Sequence, residues 1–390
     1  MMYDLAFMLM LPIFGMSVIH WIIFVLFALI FIASFLTVLY PMVFGLSKTN
    51  LSDRYNWGLN IQGFFFLSTV GCGILAVLAI QTITTSISFI DGNPFGNLSE
   101  DRLAGAIAFA CLISAQLLMA SDLGKPQRAF KIIVGRNFRS PLTLDFISLL
   151  ALTVLSFIFM LGIGRVSVFS VSAFSTLWAY ATLFFALLCI FAHVMLFSLK
   201  VAPGFGSKSF DAISMISSGL WSGTAVLMIL WAIPPWWGLS PGFPFNWFIL
   251  ATLFVFVTQL AIILSSLFAK QKPHNLVLAG LSFVVLLYAV GRGLIQTGLW
   301  TGGVTFFIVD IAVCLFALFA VFLDKILSVI HYQKDAVLPA PYSMYDKAKS
   351  YKPSFLEIGN LVAAFSLVVC ITYAVVIFKL YVLPWLISLF

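Results

Sequence analysis

Residues 18–44 read VIHWIIFVLFALIFIASFLTVLYPMVF, twenty-seven positions without an Asp, Glu, Lys or Arg. At 1.5 Å per residue a helix of this length covers about 40 Å, more than the ~30 Å hydrocarbon core of a bilayer. Lipid offers backbone N–H and C=O groups no partners, so such a run is either a helix or a strand of a closed barrel. Its apolar positions do not alternate at a period of two, which excludes the barrel. The stretch ahead of Val18 has no basic residue and no small-residue cleavage site, so a retained helix is expected rather than a signal peptide.

The pattern recurs along the chain. Between clusters of charge, Pro and Gly the apolar spans lie near 18–44, 57–83, 103–121, 143–164, 174–199, 212–233, 247–268, 276–298, 304–327 and 358–388. Of all residues 63% are hydrophobic and 8% charged, whereas a soluble domain carries roughly 25% charged residues. A water-soluble fold is therefore excluded. The expected fold is all-α: a polytopic transmembrane bundle of about ten helices, in one integral membrane domain over 1–390. The longest polar stretch, about 328–354, is expected as a loop.

The basic residues sort by side. Alternate loops hold Lys48 and Arg54, then Lys125, Arg128, Lys131, Arg136 and Arg139, then Lys200 and Lys208, then Lys270 and Lys272, then Lys325 with Lys334, Lys347, Lys349 and Lys352. The opposite loops hold Arg102 and Arg165 beside Asp91, Glu100 and Asp101. The positive-inside rule makes the rich side cytoplasmic and places both termini outside, in the plasma membrane of a prokaryote. The net charge of +7 follows from that bias and needs no nucleic-acid partner. Trp236 and Trp237 in an outer loop read as a headgroup belt.

Few residues inside the spans can carry chemistry. An ionisable group at mid-membrane costs about 2.5–3.5 kcal/mol on insertion scales, so each asks for a partner. Arg292 near the outer end of the eighth span and Asp310 near the outer start of the ninth reach similar depth and can pair. The pair reads either as a helix-pinning ion pair or, with Tyr288 and Gln296 at spacings of four, as part of a proton path. His193 is open to three roles: a satisfied core histidine, a quinone hydrogen-bonding group or a haem ligand. No second intramembrane histidine pairs with it, so a diheme cytochrome is excluded. Cys72, Cys111, Cys189, Cys314 and Cys370 stand singly in apolar runs and are expected as small core residues, with no iron–sulfur, zinc or other metal ligands in this chain.

Two stretches carry a resemblance. One is Ala120-Ser121-Asp122-Leu123-Gly124-Lys125-Pro126-Gln127-Arg128, followed by Asn137-Phe138-Arg139-Ser140-Pro141-Leu142. The other is Trp57-Gly58-Leu59-Asn60-Ile61-Gln62-Gly63-Phe64, running on to Gly71-Cys72-Gly73. Together they resemble the DLGRPxR…NxxSPM signature and the first core helix of the NrfD-like family, the membrane subunits of polysulfide reductase and related enzymes. Lys125 stands where the signature has Arg, and Leu142 where it has Met. On that likeness the family core covers about 57–298, and the helices near 18–44, 304–327 and 358–388 are additions.

The resemblance implies a quinone, menaquinone by preference, in a four-helix bundle. It also implies an iron–sulfur partner with four clusters, often serving a molybdopterin catalytic subunit. The family's quinone oxygens are met by an Asn and a His near the start of the core helix. Asn60 matches the Asn; Gly63 stands at the His position, which leaves Gln62 as the nearest replacement, with Asp122 and His193 completing the candidate set. Lys125, Arg128, Arg136 and Arg139 form a basic loop able to dock an acidic ferredoxin-like partner. The expected function is electron exchange between that partner and the quinone pool, with protons moving through polar groups. The rival readings are an anchor subunit without a quinone site and a secondary transporter, for which the run Gly291 to Thr297 offers a candidate helix break.

Overall fold

The computed structural model describes residues 12–13, 16–46, 49, 57–85, 100–123, 140–161, 171–198, 208–232, 245–268, 276–296, 304–334 and 351–377. Among them are ten helices: α1 (Val18–Phe44), α2 (Leu59–Thr85), α3 (Glu100–Asp122), α4 (Pro141–Leu161), α5 (Val171–Ser198), α6 (Lys208–Ala232), α7 (Phe245–Phe268), α8 (Leu276–Gln296), α9 (Val304–Lys334) and α10 (Phe355–Ile377). Nine are long and apolar enough to cross a membrane, and α8 contributes a shorter apolar run, Leu276–Arg292. The only other regular structure among the described residues is a two-residue antiparallel pairing of Pro12–Ile13 with Met16–Ser17, ahead of α1. The expected polytopic bundle is observed.

α2 is the axis of the bundle. It packs against α3, α5, α6, α9 and α10, and 89% of its apolar window is buried against 6% for α1. A helix apolar on every side belongs where every side is covered, and α2 carries Phe64, Phe65, Leu67, Ile74, Leu75 and Leu78 into the core. α1 instead lies on α10 and turns the rest of its surface to lipid, exposing Ile32, Leu36 and Val43.

The small-residue end of α2 makes a tight crossing with α6. A Cβ added to Gly73 would lie 1.9 Å from the backbone oxygen of Gly219, and one on Gly223 would lie 2.4 Å from the backbone carbon of Gly73. Where lipid supplies no hydrophobic drive between helices, such close backbone approach is a main source of packing energy.

Helix polarity gathers the starts of α2 and α10 and the ends of α3 and α9 at one end of the bundle. Trp57 N–H donates to Gln333 Oε1 at 3.0 Å, and Gln333 Nε2 donates back to Trp57 O at 2.9 Å. The helix ends that flank the expected basic stretches, those of α3 and α9 and the starts of α2 and α10, are on this side.

Three sequence expectations need correction. α9 continues to Lys334 instead of ending near 327. Lys325, counted with a loop, is buried in that helix, where its Nζ lies 3.2 Å from Ser218 Oγ on α6 and 3.4 Å from Asp324. Two local acceptors and the long apolar stem allow the helix to run through it. Finally, the candidate break at Gly291-Arg292-Gly293 is absent, because α8 continues as regular helix to Gln296.

Candidate functional site

Three polar clusters sit inside this apolar bundle, and they divide the residues singled out by sequence. The first lies at the end where α2, α3 and α10 meet. Ser354 and Glu357 form a reciprocal capping box at the head of α10. Ser354 N–H and Oγ–H both donate to Glu357 Oε2 at 2.8 Å, and Glu357 N–H returns to Ser354 Oγ at 3.3 Å. Glu357 Oε1 accepts from Tyr351 O–H at 2.6 Å and from Leu59 N–H at 3.2 Å. A fully buried carboxylate thus satisfies the first turn of its own helix and of α2 together. Burial and the bond to Glu357 push the Tyr351 phenol well above the usual tyrosine range, so it stays a donor.

One turn deeper, Asn360 Nδ2 donates to Asn60 Oδ1 at 3.3 Å and lies 3.5 Å from Ser121 Oγ. The Asp122 carboxylate lies beside Asn60 without a hydrogen bond of ordinary geometry. Asn60 Nδ2, Asp122 Oδ1 and Asn360 Oδ1 are buried and make no hydrogen bond of ordinary geometry among the described residues. Buried polar atoms are rarely left so, because each costs about 1–3 kcal/mol.

Gly63 fits the same picture. Its added Cβ would lie 2.5 Å from Leu361 Cδ1 on α10 and 2.9 Å from Leu118 Cδ1 on α3. The C-terminal helix fills the space a histidine would need there and brings Asn360 beside Asn60. Gln62 does not join this cluster. It points from another face of α2, buried, with both amide atoms unpartnered among the described residues.

His193 belongs to a second cluster. Its ring packs edge-on against Phe64 and Phe65 of α2, with centroids 5.5 and 5.0 Å apart. Its Nε2 lies 3.0 Å from Asp145 Oδ1 on α4. Cys189 Sγ, one turn back on α5, lies 3.8 Å from that nitrogen and 3.7 Å from the same carboxylate oxygen, and 3.8 Å from Cys72 Sγ on α2. The ring is therefore held by a carboxylate, and no bond joins it to Asn60 or Asp122 among the described residues. Beside it a cleft of about 150 Å³ between α2, α5 and α6 is lined by Thr69, Cys72, Cys189, His193 and Met215.

The third cluster lies at the opposite end of the bundle. Tyr288 O–H donates to Asp310 Oδ1 at 2.5 Å, and Arg292 Nε lies 3.6 Å from the same oxygen. The pairing expected from α8 and α9 is present, with Arg292 and Asp310 both buried. The Gln296 side chain and the loop carrying Lys125, Arg128, Arg136 and Arg139 lie outside the described residues.

Sequence reading passed over Asp145, Asn360 and Glu357. Each is a carboxylate or amide inside an apolar run, the signal that had drawn attention to Asp310.

No family model matches the chain. Over 107 residues the chain is 27% identical to a Halobacterium salinarum protein inferred to be a membrane subunit of dimethyl sulfoxide reductase. The matched segment is 27% of this chain and 23% of that relative.

Proposed function

We propose that this chain is the integral membrane subunit of an oxidoreductase complex, and that it exchanges electrons between an iron–sulfur partner and a quinone at the Asn60 end of the bundle. The observation that carries the reading is the set of three buried polar atoms there, contributed by three helices, that make no hydrogen bond of ordinary geometry among the described residues. Asn60 Nδ2 is a donor for a quinone carbonyl. Asp122 Oδ1 and Asn360 Oδ1 are acceptors for the hydroxyls of the quinol. Quinone chemistry needs hydrogen-bond partners and a proton route and no covalent catalyst, and this end supplies both kinds of partner. The similarity to a reductase membrane subunit supports the same class, and a further catalytic subunit, of the molybdopterin type that the NrfD-like resemblance implies, completes the complex.

The site sits where the basic loop between α3 and α4 departs, so an acidic iron–sulfur subunit docked on Lys125, Arg128, Arg136 and Arg139 brings its terminal cluster close to the quinone. That face is cytoplasmic by the positive-inside bias. Protons reach the far side along α9, whose buried Asp324–Lys325 and Asp310 stations stand fourteen residues apart, about 21 Å of helix. His193, held by Asp145, is not a quinone ligand in this scheme. The unbroken α8 weighs against a transporter, which binds substrate at discontinuous helices.

Asn60→Leu and Asn360→Leu test the site. Each replaces the amide with an apolar group of the same branching and heavy-atom count, so the complex assembles with its clusters while quinol-linked turnover falls at least about tenfold, one lost hydrogen bond to a buried partner. Wild-type turnover in both variants would remove this end of the bundle from the reaction.

A further inference from the structure

The second cluster has a geometry that its sequence spacing does not announce. Asp145, Cys189 and His193 come from α4 and α5, are each fully or almost fully buried, and offer one carboxylate oxygen, one sulfur and one imidazole nitrogen whose mutual distances are 3.0, 3.7 and 3.8 Å. Bond lengths of about 2.3 Å to sulfur and 2.0–2.1 Å to nitrogen or oxygen place tetrahedral ligands about 3.5 Å apart for sulfur with nitrogen or oxygen, and about 3.3 Å apart for nitrogen with oxygen. The observed triangle departs from those edges by a few tenths of an ångström.

A hydrogen-bonded core histidine explains only part of the cluster. It accounts for the contact between His193 Nε2 and Asp145 Oδ1. It leaves Asp145 Oδ2 without a partner at a fully buried carboxylate, in a region where an unsatisfied charge is expensive. A divalent cation among the three groups compensates the carboxylate and gives the sulfur a role as thiolate. Cys189 and His193 also line the 150 Å³ cleft, so a metal here keeps one side open to it. Cys72 Sγ, 3.8 Å from Cys189 Sγ, lines the cleft as well and stands next to that open side.

We propose that Asp145, Cys189 and His193 bind a divalent first-row transition metal, zinc by preference, with the fourth coordination position turned to the cleft between α2, α5 and α6. Mixed sulfur, nitrogen and oxygen donors suit a borderline-soft ion without geometric preference, and three protein ligands with one open position form the arrangement of a metal that meets a further ligand. The proposal stands on this cluster alone and is independent of the quinone assignment.

The test uses the full chain purified in detergent, stripped with a chelator and reloaded with zinc or cobalt. One zinc per chain is expected, with an X-ray absorption first shell that contains sulfur at about 2.3 Å and lighter donors at about 2.0–2.1 Å. The cobalt form should show the intense visible bands of tetrahedral Co(II) and a thiolate-to-cobalt charge-transfer band. Cys189→Ser should abolish the charge-transfer band, Asp145→Asn should weaken loading at least about tenfold, and Cys111→Ser, at a buried thiol elsewhere, should change neither. The absorption measurement on the unmodified chain decides the matter even if a variant fails to fold. A reloaded chain that holds no metal, or metal without a sulfur ligand, would overturn the proposal, as would zinc retained in full by both Cys189→Ser and Asp145→Asn.

Discussion

Replacing Glu357 separates the energetic roles of its two oxygens. In Glu357→Ala, Ser354 N–H and Tyr351 O–H both lose a charged acceptor, at 2.8 and 2.6 Å, while Leu59 N–H keeps its bond to Tyr351 Oη at 2.7 Å. Hydrogen bonds to charged groups contribute about 1.5–3 kcal/mol each, and the lower figure applies at a helix end near the headgroups. The expected loss is about 3 kcal/mol, or roughly 150-fold in the folding equilibrium. Glu357→Gln retains a carbonyl oxygen for Tyr351 and Leu59 and loses the acceptor for Ser354 N–H, so its expected cost is about 1.5 kcal/mol. The assay is reversible unfolding in mixed micelles with rising dodecyl sulfate, followed by helical circular dichroism. A loss below about 1 kcal/mol for the alanine variant, or equal losses for the two variants, would refute the idea that this carboxylate ties the heads of α2 and α10 together.

Two further outcomes follow from specific contacts. Gly73→Ala places a methyl 1.9 Å from the Gly219 carbonyl oxygen, so α2 and α6 must separate; a destabilisation of at least about 2 kcal/mol is expected in the same titration, while Gly280→Ala, where nothing lies within 4 Å of the added Cβ, should be neutral or stabilising. The Tyr351 phenol is raised by burial and by Glu357, so the folded state holds its proton more tightly than the unfolded chain. Its contribution is fully present below the ordinary tyrosine value of about 10 and is lost as pH rises above it, and Tyr351→Phe should flatten that alkaline decline in stability.

Much of the fold was legible because bilayer thickness imposes a length on apolar runs. The ten expected spans agree with α1 to α10 to within a few residues at most ends. The pairing of Arg292 with Asp310 was legible too, since so few residues separate the two spans that consecutive helices must place these side chains at similar depth. The α2–α6 crossing showed on one side only: Gly71 and Gly73 were visible as a small-residue end, but nothing local named Gly219 and Gly223 as their counterparts.

The candidate site was harder to read, for the same physical reason. Asp145, Cys189 and Cys72 belong to three helices, so the cluster arises from packing and leaves no spacing in the chain. Glu357 and Asn360 sit at the head of the last span, where a polar residue reads as a helix end, and only the insertion of α10 beside α2 and α3 reveals what they face. That insertion also explains Gly63: the space for a larger side chain is taken by Leu361 and Leu118. Lys325 misled because one charge near a predicted boundary looks like a loop, while Ser218 and Asp324 make its burial tolerable.

The central claim is electron exchange between a partner's cluster and a quinone beside Asn60. Low-temperature electron paramagnetic resonance on the dithionite-reduced complex, isolated through this chain and measured before and after addition of a quinone analogue, tests it most directly. The account predicts iron–sulfur signals that copurify with the chain, one of which shifts on addition of the analogue and no longer shifts in Asn60→Leu. A stable, iron-free preparation of this chain alone, or cluster signals indifferent to the analogue, would contradict it.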